Sequence, residues 1–119
     1  MMNKLIKILI LCFLPSFASS RDISETGWFL KDADGDEKII IFRSNQTFAY
    51  LKLTSHSGNE GKLYSDDDNT WLINNDLIIL SFTDGYMICQ LNLINVQQMS
   101  GTCLNELGVK DKVKGSLIK

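Results

Sequence analysis

Proline and histidine are almost absent from this 119-residue chain, which holds one of each. Pro15 lies near the start, so no proline interrupts strand pairing in the rest of the chain. The chain has one histidine, His56, and three cysteines. Because Cys12 lies in the leader described below, three of these residues remain, whereas a zinc site usually takes four ligands. No long segment carries the 3.6-residue apolar period of an amphipathic helix. These absences exclude a helical bundle and a zinc fold.

The first 20 residues, MMNKLIKILILCFLPSFASS, have the order of parts of a secretory signal peptide. Lys4 and Lys7 give a positive start, an apolar run follows at 8–14, and small residues come next. A membrane anchor is the alternative, but the apolar run is far shorter than the ~20 residues that cross a bilayer. We therefore predict a leader at 1–20, a single domain at 21–119, secretion or periplasmic export, and no stable membrane span.

Acidic side chains outnumber basic ones in the domain that would remain. Loss of Lys4 and Lys7 leaves ten basic against fourteen acidic residues, a net charge of −4. Such a chain repels phosphate backbones, so we expect no nucleic-acid partner.

Short segments rich in Ile, Leu, Phe, Tyr and Thr recur about every ten residues between turn residues, a rhythm typical of an all-β sandwich or barrel. Short loops favour an antiparallel up-and-down meander of eight to nine strands. Closure into a small barrel is expected because it leaves no exposed edge. The predicted strands are 27–31, 38–44, 47–55, 61–65, 70–74, 77–83, 85–94, 97–105 and 112–118.

Two cysteines remain after the leader, Cys89 and Cys103. A reversal around 95–97 makes the flanking strands antiparallel and places these residues directly opposite each other. Opposed positions of the non-hydrogen-bonded kind have Cα atoms about 4.5 Å apart, within disulfide range. Two buried free thiols are the alternative; a nucleophilic cysteine would need a base such as His56, which nothing in the sequence places nearby.

The segment KDADGDEK places Asp32, Asp34 and Asp36 at alternate positions, as at the start of a calcium loop. The match then fails, because glycine stands at the fourth position and Arg43 at the twelfth. A hairpin turn on Asp34-Gly35 is the preferred interpretation and a weak calcium site the alternative. We assign no metal site.

Three aromatic residues, Trp28, Tyr50 and Trp71, are candidate ligand-binding residues at the mouth of the barrel. The alternative is that they fill the core, which a barrel of this size favours.

Two strands, around Ile39–Phe42 and Leu77–Leu80, are apolar on both faces, whereas a half-solvated antiparallel strand alternates. Their outer residues need cover from the N-terminal segment or from another chain. If the cover is a second copy, the predicted homo-oligomer contacts are Ile39, Ile41, Ile78 and Leu80.

The stretch ETGWFLKD, followed by a turn, an apolar strand and SNQTFAYL, resembles the start of the calycin barrels, the superfamily of lipocalins and avidins. Those barrels have a Gly and a Trp near the first strand and then an aromatic pair, here Gly27-Trp28 and Phe48-x-Tyr50. GTCLNELG looks like the penultimate strand of small secreted barrels of this kind. The resemblance implies a ligand-binding barrel. It implies no particular ligand, because the polar residues with which avidins hold biotin have no counterpart.

The sequence therefore predicts a non-enzymatic binding module that holds a small apolar ligand or a protein partner, without a cofactor. The alternative is an interaction or inhibitor protein with a filled core, acting through its outer face and loops. No Ser-His-Asp order, phosphate loop or metal set suggests an enzyme. A cavity above about 300 Å³ behind Trp28 and Trp71 would favour ligand binding, and a filled interior would favour a partner.

Overall fold

The computed structural model describes residues 22–55, 58–83 and 85–118. The predicted leader at 1–20, His56, and Asp84 in a predicted turn lie outside the described residues. The described part is all β, with nine strands, and it contains no helix able to cross a membrane. The strands are β1 (Gly27–Asp32), β2 (Glu37–Phe42), β3 (Phe48–Thr54), β4 (Leu63–Tyr64), β5 (Thr70–Asn74), β6 (Leu77–Phe82), β7 (Met87–Asn95), β8 (Gln98–Asn105) and β9 (Lys110–Leu117). The predicted all-β antiparallel meander is confirmed, and every strand ends within two residues of its predicted bounds.

All nine strands form one antiparallel sheet in the order β4-β3-β2-β1-β9-β8-β7-β6-β5. The first and last strands therefore pair with each other in the middle of the sheet, from Trp28 opposite Leu117 to Asp32 opposite Val113. The two outer edges are β4 and β5, which follow one another in the chain. The sheet is therefore a meander whose first and last strands pair with each other and whose edge strands are β4 and β5.

The predicted closed barrel is not what the structure shows, since the sheet is an open, curled half-barrel. Its two ends meet at one isolated bridge, between Thr47 and Thr70, where the Phe48 amide donates to the Asn69 carbonyl at 3.0 Å. β4 has two residues, and the connection that follows it contains the acidic run 66–68. Aspartates are poor strand formers, which explains why β4 and β5 do not pair along their lengths.

Aromatic side chains fill the inner space beside this opening. Phe48 and Tyr50 of β3 approach Phe82 of β6, with ring centroids 4.9 and 5.1 Å away in edge-on geometry. Tyr64 of β4 stacks on Tyr50 at 4.7 Å. Edge-on aromatic pairs add to the free energy gained by burial, so side-chain packing joins the two halves of the sheet where backbone hydrogen bonds do not.

The rest of the core follows the two-residue period of the strands, because alternate side chains point to the concave face. Buried apolar residues come from β1, β2, β3 and β5–β9, and Ile23 from the segment before β1 joins them. They are Ile23, Trp28, Leu30, Ile40, Phe42, Phe48, Tyr50, Trp71, Ile78, Leu80, Phe82, Cys89, Leu91, Leu93, Met99, Cys103 and Val113.

The predicted outward direction of Ile78 and Leu80 is wrong. Both are completely buried, and they pair with Leu91 and Cys89, which also face the core. An apolar run without alternation does not reveal which face points inward, and the register with β7 decides it. Ile39 is half-buried and Ile41 exposed, so these two alone remain accessible among the predicted oligomer contacts.

The predicted disulfide is confirmed. Cys89 of β7 lies directly opposite Cys103 of β8, with Cα atoms 3.9 Å apart, and their sulfurs are bonded. The bond crosses a pair of neighbouring strands in the predicted register and lies on the core side of the sheet.

Two glycines on the inner face mark places where neighbours approach closely. A Cβ atom at Gly101 of β8 would lie 1.8 Å from the backbone carbonyl oxygen of Gln90, which has no freedom to move aside. A Cβ atom at Gly115 of β9 would lie 2.6 Å from Cγ of Met99, a flexible side chain. Gly101 is therefore required by the β7–β8 backbone, whereas the neighbour of Gly115 can adjust.

We predict that replacing both cysteines by alanine lowers the free energy of unfolding by about 3 kcal/mol, because the unfolded chain regains the entropy of the closed loop. Urea denaturation of the variant and of the reduced native protein measures this loss. The two should agree closely, and a loss below about 1 kcal/mol would show that the register is stable without the bond.

The second prediction compares Gly101→Ala with Gly115→Ala. We expect about 3 kcal/mol of destabilisation for the first, because the backbone of β7 must shift, and about 1 kcal/mol for the second. The same urea titration provides the comparison. Equal losses would mean that the close approach of β8 to Gln90 is not a constraint on the sheet.

Candidate functional site

The two tryptophans among the predicted site residues belong to the filled core. Trp28 and Trp71 are 1% and 4% exposed. The Trp28 indole N–H donates to Thr26 Oγ1 at 2.9 Å, and that of Trp71 donates to the Arg43 carbonyl at 3.0 Å. Neither ring lines the cavities described below.

Tyr50, the third predicted site residue, does reach a cavity. Its ring is buried and stacks almost parallel to that of Tyr64. Burial, followed by the influence of Tyr64, raises the pKa of Tyr50 to about 12. Its hydroxyl is therefore a neutral hydrogen-bonding group at physiological pH.

Two adjoining cavities open at the end of the half-barrel where β1 turns into β2. Their volumes are about 190 and about 180 Å³. We call this region the mouth and define it by the five residues that line both cavities, Asp32, Asp36, Lys38, Phe82 and Met87.

The larger cavity has an apolar floor. Leu30 of β1, Val113 of β9 and Phe82 of β6 contribute to it, together with the Cys89–Cys103 disulfide. These are inner-face residues of strands that converge on this end of the sheet. The Cys89–Cys103 disulfide, which links β7 to β8, therefore also forms part of the cavity wall.

Charged residues replace apolar ones where the inner face reaches the mouth. On β1 the inward series Trp28 and Leu30 ends in Asp32, and on β2 the series Phe42 and Ile40 ends in Lys38. The mouth therefore joins an apolar floor to a rim that carries charges of both signs.

Lys38 is the least expected of these residues, because an inner-face position near the core normally holds an apolar side chain. Its Nζ atom lies 4.9 Å from the ring centroid of Phe82 and 5.6 Å from that of Tyr50. Desolvation lowers the pKa of Lys38, and so does the charge of Lys52, whereas Asp32 and Asp36 act in the opposite direction. The sequence signal for this position is the parity of Lys38 with Ile40 and Phe42 along β2.

The predicted turn on Asp34-Gly35 is confirmed. The Asp36 amide donates to Asp32 Oδ1 at 2.9 Å, and the Asp32 amide donates to the Asp36 carbonyl at 3.0 Å. Gly35 has φ = 91°, a left-handed conformation that glycine adopts without strain.

The β1–β9 pairing adds a carboxylate that the sequence did not associate with this turn. Oxygens of Asp32, Asp34 and Asp111 lie within 4.8 Å of one another. Burial raises the pKa of Asp32, as do the charges of Asp111 and Asp36, while the backbone hydrogen bond from Asp36 lowers it. Hard cations prefer such oxygen donors, but exposed carboxylates often cluster without a metal, so the geometry alone assigns none.

Comparisons with models of protein families and with curated proteins find no match for this chain. Among solved structures, it is similar to a putative beta-lactamase from Burkholderia vietnamiensis. The TM-score is 0.59 at 12% sequence identity, and the match covers 82% of this chain and 95% of the other. A likeness at this level of identity shows a shared fold and assigns no function.

We predict that Lys38→Met raises the free energy of unfolding by about 1 kcal/mol, because it removes a desolvated charge and keeps an apolar stem over the rings. Lys114→Met, at an exposed position of β9, is the matched control and should change stability by less than about 0.5 kcal/mol. Urea denaturation at pH 7 compares the two.

The gain from Lys38→Met should also depend on pH. The folded protein releases the Lys38 proton at a lower pH than the unfolded chain, whose lysine has the ordinary value of 10.5. The destabilisation is therefore complete below the lowered pKa and disappears as the pH rises towards 10.5. A loss of stability in Lys38→Met at pH 7 would show that the ammonium stabilises the mouth.

Proposed function

We propose that this protein is an exported, non-enzymatic binding module that holds a small ligand with an apolar body in the mouth. The observation that carries the proposal is the larger cavity, where the apolar floor of Leu30, Val113 and the disulfide adjoins a charged rim. Ligand sites typically combine an apolar lining with a few polar groups that fix orientation.

The size of the cavity limits the ligand. At about 190 Å³, and away from Trp28 and Trp71, it does not meet the criterion of about 300 Å³ behind those rings, and it is smaller than sites for drug-sized molecules. An apolar cavity of about 150 Å³ holds a benzene molecule in another protein. A ligand with a single ring or a short chain, or one side chain of a protein partner, therefore suits this mouth.

Export and a calycin-like relationship form part of the same proposal. The disulfide supports export, because such bonds persist in oxidising compartments. The meander around an aromatic core agrees with the likeness of Gly27-Trp28 and Phe48-x-Tyr50 to the calycin barrels.

An interaction or inhibitor protein that acts through its outer face is the second candidate. The filled core around both tryptophans favours it, as does an apolar row on the convex side. Phe29, Ile39, Leu51 and Leu63 lie opposite one another across β1–β4, and Leu63 is 60% exposed. Phe29, Ile39 and Leu51 are half-buried, and apolar rows that remain partly exposed are frequent at protein interfaces.

Benzyl alcohol tests the proposal as a neutral probe with one ring. We expect saturable shifts of the NMR signals of Leu30, Met87 and Val113, with a dissociation constant on the order of millimolar for so small a ligand. Met87→Trp, which fills the mouth, should weaken binding at least about tenfold, or 1.4 kcal/mol.

Ile88→Trp is the matched control, because Ile88 neighbours Met87 on the same strand but points to the outer face. It should leave the affinity for benzyl alcohol unchanged. Shifts confined to the convex row would contradict binding in the mouth and favour the second candidate.

A further inference from the structure

Lys38 is a charged residue at an inner-face position of a strand whose other inner-face residues are apolar. The inner-face residues that follow it on β2, Ile40 and Phe42, are completely buried and apolar. Its ammonium lies over the rings of Phe82 and Tyr50, and the charges of Asp32 and Asp36 act on it as well. Desolvated groups that disfavour the folded state are frequent at functional sites.

The surroundings of Lys38 combine access with desolvation. Its side chain lines both cavities, so a molecule in the mouth contacts it. The Phe82 and Tyr50 rings beside it exclude water from one side, and the lowered pKa makes the neutral amine more available than on an exposed lysine. A desolvated lysine in an apolar pocket is a recognised arrangement for nucleophilic amines.

We propose that Lys38 anchors the ligand of the mouth as a reversible imine, and that this ligand is a small, neutral, apolar aldehyde. The inference rests on the proposed function, because it requires the mouth to be the binding site. It adds the chemical class of the ligand and the atom to which the ligand binds.

The covalent step balances without another reactant. The neutral Nζ amine adds to the carbonyl carbon and forms the carbon–nitrogen bond of a carbinolamine. The carbonyl oxygen then leaves as water with the two hydrogens of the amine, and the C=N bond forms. Nothing is oxidised or reduced, and addition of water reverses the step.

The rim favours a neutral aldehyde over an anionic one. Four carboxylates line the larger cavity, from Asp32, Asp34, Asp36 and Asp111, against the single cation of Lys38. An aldehyde with its own carboxylate meets repulsion from this excess of negative charge. The apolar floor in turn favours a hydrocarbon body over a polar one.

Benzaldehyde tests the inference, since it has the ring of benzyl alcohol and adds the reactive carbonyl. The full chain is incubated with it, the imine is trapped with cyanoborohydride, and the rate of labelling at each lysine is followed by peptide mapping. We expect Lys38 to be labelled at least tenfold faster than the exposed Lys112 and Lys114. 4-Formylbenzoate, the anionic analogue, should lose most of this preference.

Lys38→Arg distinguishes imine formation from binding in the cavity, because arginine keeps the positive charge but does not form an imine. It should abolish the trapped label at position 38, and its affinity for benzyl alcohol reports any change in the cavity itself. Lys52→Arg should leave the labelling rate of Lys38 unchanged. Labelling of Lys38 no faster than that of Lys114, or faster labelling of Lys52, would overturn the inference. If benzyl alcohol still binds in that case, only the imine fails. If benzyl alcohol does not bind either, the proposed function fails with it.

Discussion

The constraint on which this structure depends is the two-residue alternation of inward side chains across eight antiparallel strand pairs, whose register shifts only at Glu37/Lys38 in β2–β3 and at Leu93/Asn95 in β7–β8. A shift of one residue between any two neighbours would turn an entire set of apolar side chains outward. The Cys89–Cys103 bond fixes this register at β7–β8, and Gly101 permits the close approach of those strands. The core forms where this alternation places apolar side chains inward. The mouth forms where charged residues take over the inward positions, and the sheet stays open between β4 and β5.

The strands and the cysteine pairing could be predicted because both are local properties. Turn residues mark the strand ends, and the Cys89–Cys103 spacing determines the register of a hairpin. The inward face of β6 could not be predicted, because Ile78 and Leu80 lie in an apolar run without alternation. The gap between β4 and β5 could not be predicted either, because it depends on how poorly the acidic segment after β4 pairs with β5.

Much of the candidate site depends on contacts that are distant in the sequence. The sequence offers Trp28, Tyr50 and Trp71 equally as cavity residues. Packing buries both tryptophans in the core, and of the three only Tyr50 lies at a cavity. Asp111 joins Asp32 through the pairing of the first and last strands, which neither segment indicates alone. Lys38 was predictable in principle, because its parity with Ile40 marks it as a charge on the inner face of β2.

This inward charge gives the mouth its distinctive chemistry: an amine between aromatic rings, above an apolar floor and beside a carboxylate rim. The most direct test is an NMR titration of the Lys38 side chain in the folded protein. The account predicts a pKa below the ordinary 10.5, because desolvation outweighs the attraction of Asp32 and Asp36. A pKa at or above 10.5 would show that the ammonium is hydrated or ion-paired and would contradict the account.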